Sequence, residues 1–183
     1  MEIQSLYQHA IKFAAEKHAE INQTIPGTNL PYVVHLSNVA MEILIASAET
    51  KHFDIGFAIQ VALLHDTLED THATFEDLKE KFGIAVAHAV SALTKRNDIP
   101  KNEKMKDSLN RIKKLSKEVW SVKLADRITN LQVPPSHWSL EKKQAYQKEA
   151  IQILQELNGA NLYLENRLKD KIEEYSKYCV TTI

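Results

Sequence analysis

The sequence predicts an all-α protein, and three observations lead to this fold class. The 183 residues contain only four glycines and five prolines, which is typical of long helices joined by short loops. Apolar residues recur at three- and four-residue spacing along most of the chain, whereas strict alternation of apolar and polar residues is absent. We therefore expect a single domain over residues 1–183, folded as a helical bundle around one core.

The composition is that of an ordinary globular protein, with 44 % hydrophobic and 26 % charged residues. A net charge of −1 creates no general field that would attract nucleic acid or an anionic membrane. A single cysteine, Cys179, excludes an intrachain disulfide. No signal-peptide pattern occurs, and no apolar run approaches the roughly 20 residues of a membrane span. We expect a soluble, cytoplasmic protein that binds neither nucleic acid nor membrane.

The first half of the chain contains segments with the apolar spacing of amphipathic helices. We predict helices over 5–21 with Ser5 as N-cap, from His35 to about residue 47, over 54–70, from Thr74 to Gly83, and over 84–94. Thr74 is a good N-cap, and acidic residues in the first turn favour a helix that begins there. Gly83 is typical of a position just beyond a helix end. Residues 22–32, with two prolines and a glycine, predict a loop.

The second half contains one segment of different composition. Residues 95–117 are rich in lysine and arginine and poor in apolar residues. They predict either a solvated loop with an exposed helix or a basic arm that covers an anionic substrate. Helical spacing returns over 117–131, over 139–157 with Ser139 as N-cap, and over about 161–178.

The strongest functional signal lies in the central predicted helix. The apolar run Val61–Leu64 is followed at once by His65 and Asp66, and one turn later by Glu69 and Asp70. On one helix, His65 shares a face with Glu69, and Asp66 shares the adjoining face with Asp70. Buried carboxylates are costly unless they are paired or bind a metal. The pattern therefore predicts a helix that runs through the core and opens into a metal site.

His35 and Asp126 complete the candidate set of metal ligands with His65 and Asp66. Asp126 lies between core-type residues in a predicted helix, where a carboxylate needs a partner. Two imidazoles and two carboxylates suit Mn, Fe, Co or Zn better than Ca. Such an ion can hold a phosphoryl oxygen and lower the pKa of a water, which the nearby acidic pair could orient or deprotonate.

These residues carry a family resemblance. The order His35, His65-Asp66, Asp126 resembles the signature of HD-domain phosphohydrolases. The strings ALLHDTLEDT (62–71) and VKLADRITNL (122–131) resemble the hydrolase domain of the bifunctional alarmone synthetase/hydrolases of the RelA/SpoT type. The chain is too short for a synthetase domain, and its size resembles the stand-alone small alarmone hydrolases of the Mesh1 type. Shorter matches at PYVVH, IPK and QAY extend the resemblance over nearly the whole chain.

The resemblance implies an all-helical HD fold with a bound Mn²⁺, other divalent transition metals being possible. It implies hydrolysis of the 3′-pyrophosphate of (p)ppGpp to GDP or GTP plus pyrophosphate. The implied metal ligands are His35, His65, Asp66 and Asp126. The residues implied to activate the attacking water are Glu69 and Asp70, and those implied to contact the nucleotide are Asn130, Lys101 and Tyr146.

Two departures from the family pattern occur near the first histidine. Family members have a basic residue in the loop before this histidine, and its guanidinium packs on the guanine base. Residues 22–32 contain no arginine or lysine, and Gln23 or Thr24 cannot replace such a contact in kind. Leu36 stands where the family has a proline, which changes the helix entry and leaves the ligand intact. The first departure leaves the base specificity open.

Three other functions stay open on the sequence. One is an HD phosphohydrolase of another nucleotide or of a 3′-phosphorylated cofactor, which the missing loop arginine favours. A second is a non-catalytic nucleotide sensor, against which the retained pair Glu69 and Asp70 argues. A nucleic-acid-binding role is the weakest, because residues 95–117 lack interleaved aromatic residues that could stack on bases. The sequence carries no signal for an oligomeric state.

Overall fold

The computed structural model describes residues 2–180, and this part of the chain consists of helices joined by turns. The helices are α1 (Ile3–Glu20), α2 (Val33–Ala48), α3 (Ile55–Leu64), α4 (Thr67–Asp70), α5 (Phe75–Phe82), α6 (Ile84–Leu93), α7 (Lys104–Ile112), α8 (Lys117–Asn130), α9 (Leu140–Glu156) and α10 (Leu162–Tyr175), followed by a 3₁₀ turn (Ser176–Tyr178). Within the described residues, β pairing is limited to one bridge between Thr24 and Pro31. The all-α prediction is confirmed.

Several predicted helix ends are confirmed by their capping geometry. The Thr74 side chain accepts a hydrogen bond from the Asp77 backbone N–H, and the Asp77 carboxylate accepts one from the Thr74 backbone N–H. This reciprocal capping box satisfies two N–H groups that have no partner within the helix. Gly83 ends α5 with a φ of 88°, a conformation that favours glycine. Ser139 caps α9 by accepting a hydrogen bond from the Lys142 N–H.

The prediction of one continuous helix over 54–70 is wrong. Helix α3 ends at Leu64, His65 and Asp66 form a turn, and α4 is a separate single turn. The His65 ring donates Nδ1–H to the Ala62 carbonyl at 2.8 Å, and the Thr67 hydroxyl donates to the Leu64 carbonyl at 2.7 Å. These side chains compete with the backbone for the carbonyls of the last turn, which favours a break there.

Two further helix predictions need correction. Helix α1 begins at Ile3 after the N-cap Glu2, which makes no side-chain capping bond, so Ser5 lies inside the helix. Residues 104–112 form α7, and one face of this helix is buried through Met105, Ser108, Leu109 and Ile112. Arg111 donates hydrogen bonds to the carbonyls of Ser91 and Thr94, which ties α7 to the end of α6. The basic segment is therefore packed along one face and is not a wholly exposed helix.

Helix α8 lies at the centre of the bundle. It packs against α2, α3 and α10, and nearly every residue from Val119 to Ile128 is buried. The buried set includes Lys123, Asp126 and Arg127. Because buried charges are costly without partners, the charged side chains of this helix need polar partners within the core.

The buried apolar residues form one cluster that reaches from Ala10 in α1 to Tyr175 in α10. A single cluster supports a single domain, although the predicted limits 1–183 include terminal residues outside the described range. None of the described helices combines the length and the apolar character that crossing a membrane would require.

Candidate functional site

Four polar side chains from three segments converge beside the buried end of α3. His35 lies in the first turn of α2, His65 and Asp66 form the turn after α3, and Asp126 projects from α8. One ligand atom from each residue lies within 4.8 Å of the others. Asp126 Oδ1 lies 3.5 Å from His35 Nε2 and 3.6 Å from His65 Nε2. The structure thus brings together the four residues that the sequence singled out.

The chemistry of these atoms fits a divalent cation. Because the Ala62 carbonyl can only accept, His65 carries a proton on Nδ1, so in the neutral form that binds a metal Nε2 is an electron-pair donor. His35 Nδ1 lies 3.4 Å from the Thr129 hydroxyl, and its Nε2 also faces the cluster. Both Nε2 atoms are buried and make no hydrogen bond within the described residues, although His65 Nε2 lies 2.9 Å from Asp66 Oδ2. Two imidazole nitrogens and two carboxylates aimed at one point form a mixed N/O ligand set.

The shifted pKa values of the buried ionisable groups show that a positive charge is favourable at this point. Burial raises the pKa of Asp126, but Lys123 and the two histidines lower it well below its usual range. Burial lowers the pKa of His65, but Asp66 and Asp126 raise it well above its usual value. Burial likewise raises the pKa of Asp66, but His65 lowers it below its usual range, so both carboxylates are ionised and the His65 imidazole is drawn toward the charged form. A bound cation would satisfy the same two carboxylates.

Hydrogen bonds from surrounding residues fix the orientation of both carboxylates. The Tyr32 hydroxyl donates to Asp66 Oδ2 at 2.5 Å. Asn130 Nδ2 donates to Asp126 Oδ1 at 2.5 Å, and Lys123 Nζ donates to Asp126 Oδ2 at 3.0 Å. Such outer contacts hold ligands in place in metal sites. Tyr32 was not singled out from the sequence, although its position three residues before His35 places it at the entrance of the same helix.

Glu69 and Asp70 lie in α4, one turn beyond the His65–Asp66 turn. Glu69 Oε2 accepts a hydrogen bond from the Lys95 backbone N–H at 2.8 Å. Asp70 Oδ2 accepts one from Gln23 Nε2 at 2.8 Å. Both carboxylates line a polar cavity of about 170 Å³ whose wall also contains Asp66 and Asp126. The structure therefore places the predicted acidic pair in the same cavity as the ligand cluster.

Three cationic side chains, Lys95, Lys123 and Arg127, also line this polar cavity. The Arg127 guanidinium lies 4.4 Å from the centre of the Tyr146 ring, and its Nη2 is paired with Glu149. Its Nε and Nη1 atoms are buried and have no hydrogen-bond partner among residues 2–180. Arg127 is thus a fixed cation with spare donors, a typical arrangement for binding a phosphate.

A second cavity of about 250 Å³ adjoins the polar cavity and has a mainly apolar wall. Its wall includes Pro26, Pro134, Pro135 and Trp138. Asn130 and Tyr146 line both cavities and therefore mark the point where they meet. The combined site has a charged half beside the candidate ligand cluster and a mainly apolar half whose wall includes an indole ring and three prolines.

The predicted nucleotide contacts have different positions in the structure. Asn130 and Tyr146 lie at the junction of the two cavities. Lys101 is exposed in the turn before α7 and lines neither cavity. From the loop 22–32, Ile25 and Pro26 line the apolar cavity, whereas Gln23 bonds to Asp70. Lys101 as a substrate contact stays a prediction.

Comparison with known proteins places the chain in a family. The model of the HD domain matches residues 10–162. The guanosine-3′,5′-bis(diphosphate) 3′-pyrophosphohydrolase MESH1 of Danio rerio is 38 % identical over 164 residues, which cover 87 % of this chain and 88 % of the relative. The Homo sapiens MESH1 is 36 % identical over 165 residues, covering 87 % and 89 %. The chain therefore belongs to the HD-domain family and, within it, to the MESH1 group of hydrolases.

A solved structure supports the same placement. A metazoan ortholog of SpoT, described as hydrolyzing ppGpp and acting in starvation responses, aligns with a TM-score of 0.78 at 29 % identity. The alignment covers 92 % of this chain and 94 % of that protein. A Listeria monocytogenes protein aligns with a TM-score of 0.63 at 21 % identity, which shows a shared fold.

Proposed function

We propose that this protein is a metal-dependent hydrolase that removes the 3′-pyrophosphate of (p)ppGpp and yields GDP or GTP plus pyrophosphate. The observation that carries the proposal is the shared cavity of Asp66, Asp126, Glu69 and Asp70, with three cations on the same wall. This arrangement combines a ligand set, acid–base groups and a binding surface for phosphates. The names of the MESH1 relatives supply the substrate class.

The proposed metal ligands are His35, His65, Asp66 and Asp126, and Mn²⁺ is the proposed ion. A divalent ion held there would polarise a phosphoryl oxygen and lower the pKa of a nearby water. Lys123 holds Asp126 through Oδ2, Asn130 holds it through Oδ1, the oxygen that faces the histidines, and Tyr32 holds Asp66. These contacts keep the carboxylates in place before an ion arrives.

Glu69 and Asp70 are the proposed proton-handling residues. Glu69 is held by the backbone N–H of Lys95, and Asp70 by the side chain of Gln23. Each carboxylate keeps one oxygen free of these bonds to receive a proton from the attacking water. Holding a base in place before reaction lowers the entropic cost of the chemical step.

The substrate is proposed to span both cavities. Its 3′-diphosphate would lie in the polar cavity, where Lys95, Lys123 and Arg127 offset the charge that develops on the leaving pyrophosphate. Its nucleoside would lie in the apolar cavity, with Asn130 and Tyr146 at the junction. The proposal includes a cytoplasmic location and a small nucleotide as the binding partner.

Turnover of a nucleotide panel by the purified protein with Mn²⁺ tests this proposal. The panel holds ppGpp, pppGpp, ppApp, NADPH, dNTPs and 5′-mononucleotides, and ion exchange separates the products. We expect pyrophosphate and GDP from ppGpp, and no release of phosphate from the 5′-mononucleotides. Failure to cleave either guanine alarmone would contradict the proposed substrate.

A second candidate, hydrolysis of another nucleotide or of a 3′-phosphorylated cofactor, is favoured by one observation. The loop 22–32 presents Ile25 and Pro26 to the apolar cavity, and it has no cation that could stack on guanine. Turnover of NADPH or ppApp without turnover of ppGpp would support this candidate. Metal binding without turnover of any panel member would support a nucleotide sensor.

A further inference from the structure

A chain of hydrogen bonds connects the core to the polar cavity through three side chains. His18 Nδ1 lies 2.5 Å from Gln23 Oε1, and Gln23 Nε2 lies 2.8 Å from Asp70 Oδ2. His18 belongs to the last turn of α1, Gln23 to the loop 22–32, and Asp70 to the end of α4. The chain therefore joins three segments at the residue proposed to handle a proton.

The chemistry of each group determines the direction of every bond in this chain. A carboxylate can only accept, so Gln23 must present its amide N–H to Asp70 and its carbonyl oxygen to His18. An amide oxygen can also only accept, so His18 must donate from Nδ1. The neutral ring then has a bare Nε2, and this buried atom has no hydrogen-bond partner in the part of the chain that the structure describes. Burial lowers the pKa of His18, which agrees with a neutral ring.

His18 is a buried, fixed end of this hydrogen-bond chain. Its side chain is only 2 % exposed, and its ring lies 4.7 Å from the ring of Tyr32. Tyr32 in turn donates its hydroxyl to Asp66. One buried ring thus supports a proposed proton-handling residue through Gln23 and a proposed metal ligand through Tyr32.

The backbone of Gln23 is held from both sides. Its N–H donates to the His18 carbonyl at 3.0 Å, and its carbonyl accepts from the Tyr32 N–H at 3.1 Å. The side chain therefore starts from a fixed point, half-buried between α1 and the polar cavity. Asp70 itself is exposed, so without this bond its carboxylate would sample several rotamers.

We propose that Gln23 is a positioning residue. Its side chain is fixed by the hydrogen bond to the buried His18, and it in turn fixes the orientation of the Asp70 carboxylate for the reaction. The proposal rests on the proposed function, because Asp70 is assigned its role there. It also gives Gln23 a role in this protein other than contact with the nucleobase. Misplacement of a reacting group by about 1 Å can reduce a rate by about 100-fold.

The test compares Gln23→Leu, His18→Phe and the double variant by steady-state kinetics with ppGpp and Mn²⁺. Either single change breaks the chain, so each should lower kcat by about 10- to 100-fold and leave KM and the Mn²⁺ affinity within about twofold. The double variant should resemble the single variants, because the chain is already broken. Independent structural damage would instead multiply the two losses.

Two further variants separate positioning from folding. His18→Asn places an amide N–H near the position of Nδ1, so it should retain more activity than His18→Phe. Thr28→Ala is the matched loop control, since Thr28 bonds only to Ile25 and Leu30 within the same loop. Wild-type kcat is expected for Thr28→Ala. Wild-type kcat in Gln23→Leu, or multiplied losses in the double variant, would overturn the proposal.

A measurement without substrate tests the His18–Gln23–Asp70 hydrogen-bond chain directly. Long-range ¹⁵N–¹H NMR reports which ring nitrogen of a histidine carries the proton. His18 should be in the Nδ1–H form in the metal-free and in the Mg²⁺-treated wild type, and should shift toward a mixture in Gln23→Leu. An Nε2–H form in the wild type would overturn the proposal. If the wild type cleaves no panel nucleotide, the proposed function fails, while the NMR result still decides whether the chain exists.

Discussion

Asp126 Oδ1 lies 3.5 Å from His35 Nε2, although the two residues project from different helices and belong to distant parts of the sequence. Both side chains are buried, and the histidine nitrogen makes no hydrogen bond to any of the described residues. The Thr129 hydroxyl donates to the Asp126 carbonyl and can therefore only accept from His35 Nδ1–H, which leaves Nε2 of the neutral ring without a proton. The approach of such a nitrogen to an ionised carboxylate is unfavourable unless a positive charge lies between or beside them. This pair therefore links the packing of α2 against α8 to the proposed binding of a metal.

Replacing Asp126 with asparagine should abolish tight metal binding. The change removes one anionic ligand and keeps the size of the side chain. We expect the Mn²⁺ affinity to fall by at least about 100-fold, measured by isothermal titration calorimetry, and turnover to fall with it. Asp98→Asn is the control, because Asp98 is an exposed residue paired with Arg96. Unchanged affinity in Asp126→Asn would remove Asp126 from the ligand set.

Replacing Glu69 with glutamine should separate metal binding from turnover. The amide can still accept the hydrogen bond from the Lys95 backbone N–H, but it cannot take a proton from water. We expect kcat to fall by about 100- to 10,000-fold, as for loss of a general base, with the Mn²⁺ affinity preserved. Stopped assays with ppGpp and calorimetry on the same preparation measure both. Full activity would exclude Glu69 as the base.

Arg127 should contribute to substrate binding through its two unpaired donors. Arg127→Lys keeps a charge but loses the planar group that lies on Tyr146 and pairs with Glu149. We expect kcat/KM to fall by about 10-fold or more, and the affinity for pyrophosphate to fall in parallel. Arg167→Lys is a matched control, since Arg167 pairs with Glu42 outside the polar cavity. Equal effects of both changes would show that Arg127 has only a structural role.

The stability of the metal-free protein should depend on pH through His18. Burial lowers the pKa of the folded His18 below the value of 6.5 for an unfolded chain. As the pH falls below this value, the unfolded chain takes up the proton first, so the free energy of unfolding decreases. Wild-type protein should therefore lose more stability than His18→Asn between about pH 7.5 and about pH 5.5. Urea unfolding in EDTA measures this difference, and equal losses would contradict the prediction.

Much of the candidate site was predictable because the proposed ligand residues lie in short, distinctive strings. The apolar run before His65 indicated burial, and buried acids indicated a cation. The break between α3 and α4 was not predictable from periodicity, because it depends on hydrogen bonds from His65 and Thr67 to the preceding carbonyls. The spacing of the apolar run and the charged pairs alone predicts one continuous helix.

Other features depend on contacts between distant segments, which a single sequence does not encode locally. Gln23 reaches Asp70 because the fold brings the start of the loop 22–32 beside the end of α4. The buried face of α7 depends on the anchoring of Arg111 to the end of α6, although its composition resembles a solvated segment. Lys101 matched a family pattern, yet it is exposed and lines neither cavity.

The most direct measurement is the rate of ppGpp hydrolysis by metal-stripped protein during titration with Mn²⁺. Protein treated with EDTA and desalted should be inactive, because the four proposed ligand residues then hold no cation. Added Mn²⁺ should restore release of pyrophosphate and GDP, with the rate reaching a plateau near one ion per chain. Full turnover in the stripped protein would contradict a metal-dependent site at His35, His65, Asp66 and Asp126. Stoichiometric Mn²⁺ binding without any cleavage of ppGpp would contradict the proposed reaction.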